Sequence, residues 1–246
     1  YRYRTGAGTV TFTQTAPDRS DLPLVTRRRV VAWPLWGVPA GVFGLLATLV
    51  FNQRPEAESD HPGYTLSPAD MADLDPGTAH LALVFGYLSV ICLIVLAAQW
   101  RRRVEARFDW SAAAPVVSSG LVASAAGLSL AYGWMGALWL YLPGGPEDSS
   151  YDAQGEFVYF MLSDFSPYIG WLGVLVAAGA LAWMAWRERL VSRILGALAG
   201  VFFLGVLGAT LVTGVPGLPG IAALSLVVAA VWLSVGSSVI TRSTSA

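Results

Sequence analysis

The sequence predicts an all-α membrane protein in which a bundle of six helices crosses the lipid bilayer. The chain has 246 residues, of which 55% are hydrophobic and only 13% are charged, whereas soluble domains carry about 25% charged residues. A bilayer core about 30 Å thick requires ~20 apolar residues per helix. Six stretches of the sequence meet this requirement, at 30–51, 80–99, 112–142, 167–186, 194–214 and 216–240.

The distribution of arginine predicts how the helices are oriented. The chain has fifteen cationic residues, all of them arginine, and fourteen fall on one side of the six stretches. Only Arg54 departs from this alternation. Arginine-rich loops remain in the cytoplasm, so both termini are expected there, with 1–29 a largely disordered tail and 241–246 a short one. Eleven of the sixteen acidic residues lie in the two loops then placed outside.

The membrane in question is expected to be a bacterial plasma membrane. Arginine without lysine, together with abundant Ala, Gly and Val, suggests a high-GC bacterial genome. The first apolar stretch follows a polar tail and is too long for the apolar region of a cleavable signal peptide. The chain is therefore expected to stay in the bilayer as a multi-pass protein.

The first stretch and the loop after it carry clear local signals. Trp33 and Trp36 lie at its predicted inner edge, where amphipathic rings favour the headgroup region. In the first outer loop, Ser67 as N-cap, Pro68 at the first helical position and Asp70 in the first turn predict a short helix. We expect this helix to lie along the membrane surface.

The second and third stretches are joined by the short loop 101–109, so they are expected to be antiparallel neighbours. The third stretch is rich in small residues, which favour close packing against other helices. Ser118, Ser119 and Ser124 in this stretch are expected to form either a packing face or the lining of a cavity.

The second outer loop contains an apolar piece at 157–162 that is too short to span a membrane. We expect it to form a second short helix that is interfacial or re-entrant. Ser163 and Asp164 would then cap the fourth stretch. The fifth and sixth stretches are separated by a short uncharged link and should form a tight hairpin.

The search for a chemical site yields weak candidates only. None of the six cores contains Asp, Glu, Arg or Lys in its middle, which argues against a proton relay, a voltage sensor or an ion-coupled carrier. The single cysteine, Cys92, excludes an intrachain disulfide. No catalytic residue, cofactor or metal site is predicted. A polar site on the outer face is the weak alternative, with candidates His61, His80, Asp73, Asp75 and Asp164, and with Asp164 paired to His80.

Two functional hypotheses remain open. The first is an accessory or transport-associated subunit without catalytic activity, in contact with the bilayer and with other membrane subunits. Self-association would use the small-residue faces of Gly37 and Gly41 and of Gly196 and Gly200. A dry, packed bundle would favour this hypothesis, and a water-filled cavity lined by the three serines would favour transport.

The second hypothesis comes from topology. Six helices with cytoplasmic termini and a basic inner face resemble the permease half of bacterial ABC exporters. This resemblance implies a separate cytoplasmic ATPase as partner, and it departs from those permeases in the very short link between the last two stretches. A membrane enzyme working at the outer interface ranks third. No nucleic-acid partner is expected.

Overall fold

The computed structural model describes residues 30–55 and 63–241, which form helices and connecting loops without a strand. The predicted tail 1–29, residues 56–62 with His61, and 242–246 lie outside the described residues. Within the described ranges, seven α-helices follow one another: α1 Gly37–Leu45, α2 Pro76–Trp100, α3 Ala114–Tyr141, α4 Ala153–Gly170, α5 Leu172–Trp186, α6 Arg193–Thr213 and α7 Pro219–Val235.

Some of these helices are extended by tighter or wider turns. The 3₁₀ turn Trp33–Trp36 leads into α1, and the π-helical turn Leu46–Val50 continues it. Another π-helical turn, Arg101–Glu105, continues α2. Short 3₁₀ helices cover Pro68–Asp73 in the first loop and Val239–Thr241 after α7.

Five helical segments of the described residues are long and apolar enough to cross a membrane: Trp33–Val50, Pro76–Glu105, Ala114–Tyr141, Ala153–Trp186 and Arg193–Thr213. They correspond to the first five predicted stretches, so the prediction of an apolar helical bundle is confirmed at this level. The sixth stretch forms α7, which has 17 residues. At 1.5 Å per residue α7 is about 26 Å long, at the short end of the range for a membrane helix.

The second loop differs from the prediction. The apolar piece 157–162 is not a separate short helix, because it lies inside α4. Asp152 caps α4 by accepting a hydrogen bond from the Gly155 N–H at 3.0 Å. Ser163 and Asp164 are therefore interior helix residues, and the prediction that they cap the fourth stretch is wrong. The apolar pattern of the sequence does not predict the cap at Asp152, which is followed by the polar segment 153–156.

α4 and α5 form one bent rod that is interrupted at Trp171. Pro167 lies inside α4, and the chain turns at Trp171 before α5 begins. Proline removes one hydrogen bond of the helical ladder and bends the helix that contains it. The rod is about 50 Å long, which exceeds the thickness of the bilayer core.

The helices pack in a defined order. α2 packs against α1 and α3, α3 also packs against α4 and α5, α5 packs against α6, and α1 packs against α7. By contrast, α6 and α7 touch each other very little. The antiparallel pairing expected for the second and third stretches is therefore present as α2 and α3.

Backbone contact between glycines sets the distance between α3 and α5. A Cβ atom on Gly173 would lie 2.1 Å from the carbonyl oxygen of Gly120, and a Cβ on Gly120 would lie 2.4 Å from that of Gly173. Neither position has room for a methyl group. The small residues of the third stretch therefore serve helix packing, as expected for close helix approach in membranes.

The two GxxxG faces predicted for self-association are used inside the chain. A Cβ on Gly41 would lie 2.5 Å from the Ala223 carbonyl oxygen of α7. One on Gly196 would lie 2.1 Å from Cβ of Ala185 on α5. Gly37 likewise meets Ala230 of α7, while Gly200 has looser contact with Ala182 of α5. These faces hold α1 to α7 and α6 to α5.

The short helix Pro68–Asp73 rests on protein. Met71 and Leu74 are buried in a small hydrophobic cluster with Ala79 of α2, Leu138 of α3, Leu142 just after α3 and Phe160 of α4. The short helix thus covers the start of α2, the end of α3 and the middle of α4.

Candidate functional site

The polar residues expected to form an outer site are held apart by separate partners. The His80 ring stacks on Trp139, with ring centroids 4.0 Å apart and planes 8° apart. Asp164 forms an ion pair with Arg54 at 2.8 Å. His80 and Asp164 therefore do not pair with each other as predicted. One feature of the sequence is related to the Arg54–Asp164 pair. Arg54 is the one arginine that does not fall on the same side of the apolar stretches as the other fourteen.

Asp75 has a structural role at the start of α2. Its carboxylate accepts hydrogen bonds from Gly77 N–H, Thr78 N–H and the Thr78 hydroxyl, at 2.8–3.2 Å. Gln53 also bonds both backbone groups of Asp75 at 2.7 Å. The bonds from Thr78, followed by that from Gly77, hold the pKa of Asp75 below its ordinary value. Asp75 is thus the N-cap of α2.

The predicted start of the short loop helix is confirmed. The Ser67 N–H and hydroxyl both donate to the Asp70 carboxylate, at 2.7 and 3.0 Å, completing a capping box. The Tyr64 hydroxyl donates to the same carboxylate at 2.9 Å. The Ser67 N–H and these hydroxyls lower the pKa of Asp70. Asp73, by contrast, is exposed.

The three serines of α3 do not share a site. Ser118 lies near the arginine-rich end, where its hydroxyl donates to Glu105 and accepts from Arg101 Nε at 3.3 Å. Ser119 is exposed. Ser124 is fully buried and accepts a hydrogen bond from the Val174 N–H at 2.9 Å. Val174 lies just after the break at Trp171, so Ser124 stabilises the bent rod.

Other hydroxyls between the helices are also hydrogen-bonded. Thr48 and Tyr132 meet at 3.0 Å, although they are 84 residues apart in sequence. The Ser89 hydroxyl donates to the Ala40 carbonyl at 2.6 Å. Nothing local in the sequence marks these pairs, because each joins separate helices.

An apolar cavity of about 250 Å³ lies between α6 and α7. It reaches inward to the 3₁₀ turn Trp33–Trp36 and to α2, α3 and α5. Trp33 and Trp100 form its end near the arginine-rich loops, and Leu121 and Val174 form its floor. The sequence does not reveal this cavity, since its lining residues resemble any other apolar helix positions.

A second, shallower groove of about 500 Å³ lies on the halves of α2 and α3 near the acidic loops. Aromatic residues border it: Tyr141 and Tyr159 have ring centroids 5.5 Å apart, and Trp134 lies 6.1 Å from Tyr159. Such rings are typical of the membrane–water interface. Their arrangement agrees with an interfacial position for this end of the bundle.

The described residues contain no group of three or more His, Cys, Asp and Glu side chains positioned to hold a metal ion. Comparisons with protein-family models, with curated proteins and with solved structures found no match for this chain.

Proposed function

We propose that this chain is an accessory or transport-associated subunit of a membrane complex, without catalytic activity of its own. The proposal is based on the polar groups and the cavity inside the bundle. Ser89, Ser124 and the Thr48–Tyr132 pair use their hydroxyls to join helices, and the interhelical cavity is lined almost entirely by apolar side chains. A polar substrate or an ion would find no unpaired hydroxyl among these groups to replace its water.

We further propose six crossings of a bacterial plasma membrane with both termini in the cytoplasm. The arginine pattern supports this orientation. The ion pair between Arg54 and Asp164 accounts for its one exception, because a carboxylate compensates the arginine on the acidic side. The sixth crossing would use α7 together with the residues up to Thr241, which exceed the minimum length for a span.

The orientation can be tested with single cysteines. In a Cys92→Ser background, Ala106→Cys should resist a membrane-impermeant maleimide applied to intact cells, whereas Asp148→Cys should react. Both residues are exposed in the structure, so the difference reports the side of the membrane. Labelling of residue 106 from outside would refute this orientation.

The surface we propose for a partner helix is the outward face of α6. Val201, Leu204, Leu211 and Val212 on this face are 66–87% exposed. A Cβ atom added to Gly205 or Gly208, which lie between them, would meet open space. Glycine at the centre of an exposed face permits close approach of a second helix, and the two GxxxG faces are already occupied within the chain.

Extraction of the tagged chain from its native membrane into polymer-bounded lipid discs tests the accessory role. We expect a membrane partner at fixed stoichiometry, lost on Gly205→Phe and retained on Ala98→Phe, which alters an exposed position of α2. A chain isolated alone, or a partner retained equally by both variants, would contradict the proposal. Recovery of a cytoplasmic ATPase at fixed stoichiometry would instead favour the permease hypothesis.

A further inference from the structure

The space between α6 and α7 is a window that is closed at both ends. At one end the two helices are joined by the link 214–218, where the Gly217 N–H donates to the Thr210 hydroxyl at 3.2 Å. At the other end, Trp232 Nε1 donates to the Ser192 hydroxyl at 3.0 Å, and the Val239 N–H donates to the Leu190 carbonyl at 3.0 Å. Between these ties the two helices are hardly in contact.

The cavity opens through this window toward the surface that faces lipid. Leu198 of α6 and Leu224 and Val228 of α7 line the cavity, yet they are 43–54% exposed. Deeper lining residues such as Leu121 and Leu195 are only 2% exposed. The space therefore runs from the bilayer into the centre of the bundle.

Two polar groups of the lining, the Ser225 hydroxyl and the Trp100 indole N–H, already have hydrogen-bond partners. The Ser225 hydroxyl donates to the Ala222 carbonyl at 2.8 Å, and the Trp100 indole N–H donates to the Ala114 carbonyl at 2.9 Å. The other lining side chains are aliphatic or aromatic, and Trp33 contributes a second indole at the end of the cavity. An occupant that carried a polar group inside would leave that group unsatisfied, which is strongly unfavourable in hydrocarbon surroundings.

We propose that the window admits one acyl chain of a phospholipid from the leaflet on the side of the arginine-rich loops. A transmembrane helix about 10 Å wide cannot pass between two helices tied at both ends, whereas a single hydrocarbon chain can. Arg101 follows Trp100 directly and Arg193 precedes Leu195 by two residues, and both arginines are exposed. They place positive charge at the end of the cavity where the lipid phosphate would remain.

The inference does not rest on the proposed function, because the isolated chain in a bilayer is enough to test it. The full chain is reconstituted into vesicles of phosphatidylglycerol, a fraction of which carries a diazirine on one acyl chain. After illumination, the adducts are mapped by mass spectrometry. We expect them to concentrate on lining residues such as Leu121 and Phe202, compared with exposed residues of α2 such as Ile91 and Ile94.

A pair of matched tryptophan variants tests whether the window is the route of entry. Val228→Trp places an indole at the opening, while Val84→Trp makes the same change on α2, away from the cavity; the two valines are 43% and 42% exposed. Val228→Trp should lower the yield of adducts on Leu121 and Phe202 roughly tenfold, equivalent to about 1.4 kcal/mol of occupancy. Val84→Trp should leave that yield unchanged.

Leu198→Trp, on the opposite side of the opening, repeats the test if Val228→Trp does not fold. Adducts spread evenly over all lipid-facing helices would overturn the inference. The absence of adducts on the cavity floor would also overturn the inference. This holds whether the space is empty or is filled by another segment of protein. A yield that neither tryptophan at the opening reduces would also overturn it, and none of these outcomes depends on a partner subunit.

Discussion

The crossing of α3 with α5 and the gap between α6 and α7 are built from opposite kinds of side chain. At the crossing, Gly120 and Gly173 bring the two backbones into contact. At the gap, Leu198 and Phe202 of α6 and Leu224 and Val228 of α7 line the cavity. The small residues by which α6 and α7 pack closely are directed elsewhere, toward α5 and α1. Glycine placement thus decides which neighbouring helices close and which remain apart.

This contrast has a physical basis in the membrane. Lipid tails are as apolar as leucine, so helices associate through close van der Waals contact and interhelical hydrogen bonds. The α3–α5 crossing has both, since Ser124 also bonds the Val174 N–H. The middle of the α6–α7 gap has neither, and its hydrogen bonds lie at its ends.

The largest expected effect is at the crossing. Gly173→Ala would place a methyl group 2.1 Å from the Gly120 carbonyl oxygen, so α3 and α5 must separate. We expect a loss of about 3 kcal/mol in unfolding free energy, the upper end of the usual cost of overpacking, measured by thermal unfolding in mild detergent. Gly208→Ala is the matched control, because its side chain would meet open space. Equal stability of the two variants would show that the crossing is not close-packed.

A truncation compares the two regions directly. Leu128 is fully buried against Gly170 beside the crossing, and Leu128→Ala should cost about 2–5 kcal/mol. Leu198 is 49% exposed at the opening of the cavity, so Leu198→Ala should cost under about 1 kcal/mol, because its truncation removes little burial and leaves no closed cavity. A reversed order of the two unfolding midpoints would contradict the description of the α6–α7 region as loosely packed.

The buried Thr48–Tyr132 pair should have a smaller effect. Tyr132→Phe removes the hydroxyl that meets Thr48 at 3.0 Å while keeping the ring packed on Gly86. Interhelical hydrogen bonds in membranes contribute about 0.6 kcal/mol on average, so we expect a loss of this size. A double-mutant cycle with Thr48→Val should give coupling of the same magnitude. Additive effects would mean that the two hydroxyls act independently.

Acid should weaken the Ser67–Asp70 capping box and the start of α2 before either helix interface, since Asp70 and Asp75 carry structural hydrogen bonds there. Their pKa values are lowered in the folded protein. The stabilisation is therefore present above the unfolded pKa of about 3.9 and is lost as the pH falls through the folded pKa values. Unfolding measured from about pH 5 down to about pH 3 should show a smaller decline for Asp70→Asn than for the unchanged protein.

Exposed Ser149→Asn offers a control for the acid experiment, since this residue lies in the second loop, away from both caps. Its acid dependence should equal that of the unchanged protein. An unaltered acid profile in Asp70→Asn would show that this carboxylate does not contribute to the pH dependence of stability.

Several elements were predictable because their signals are local. Ser67, Pro68 and Asp70 stand within four positions of one another, and the capping box they predict is present. The apolar stretches are similarly local, and five of them correspond to helices of membrane-spanning length. The start of α4 differs from the prediction, because the N-cap of the helix is Asp152, eleven residues before the predicted cap at Ser163.

The candidate site was less predictable than the helices. His80 and Asp164 were plausible partners by residue type, yet Trp139 stacks on the histidine and Arg54 binds the carboxylate. The serines of α3 share a helix but have different depths and rotations, so they bond to different elements. Contacts across helices depend on crossing angle and register, which the spacing of residues along one helix does not contain.

The sequence alone determined that the chain is helical, that its helices are apolar enough for a bilayer, and where several of them begin. These properties follow from composition and short-range hydrogen bonding, which act within a few residues. Tertiary structure alone decided that Gly120 meets Gly173, that Arg54 meets Asp164, and that α6 and α7 enclose an apolar cavity. Those contacts depend on which faces of distant helices pack together. The free energy that favours one packing over another comes from contacts throughout the bundle.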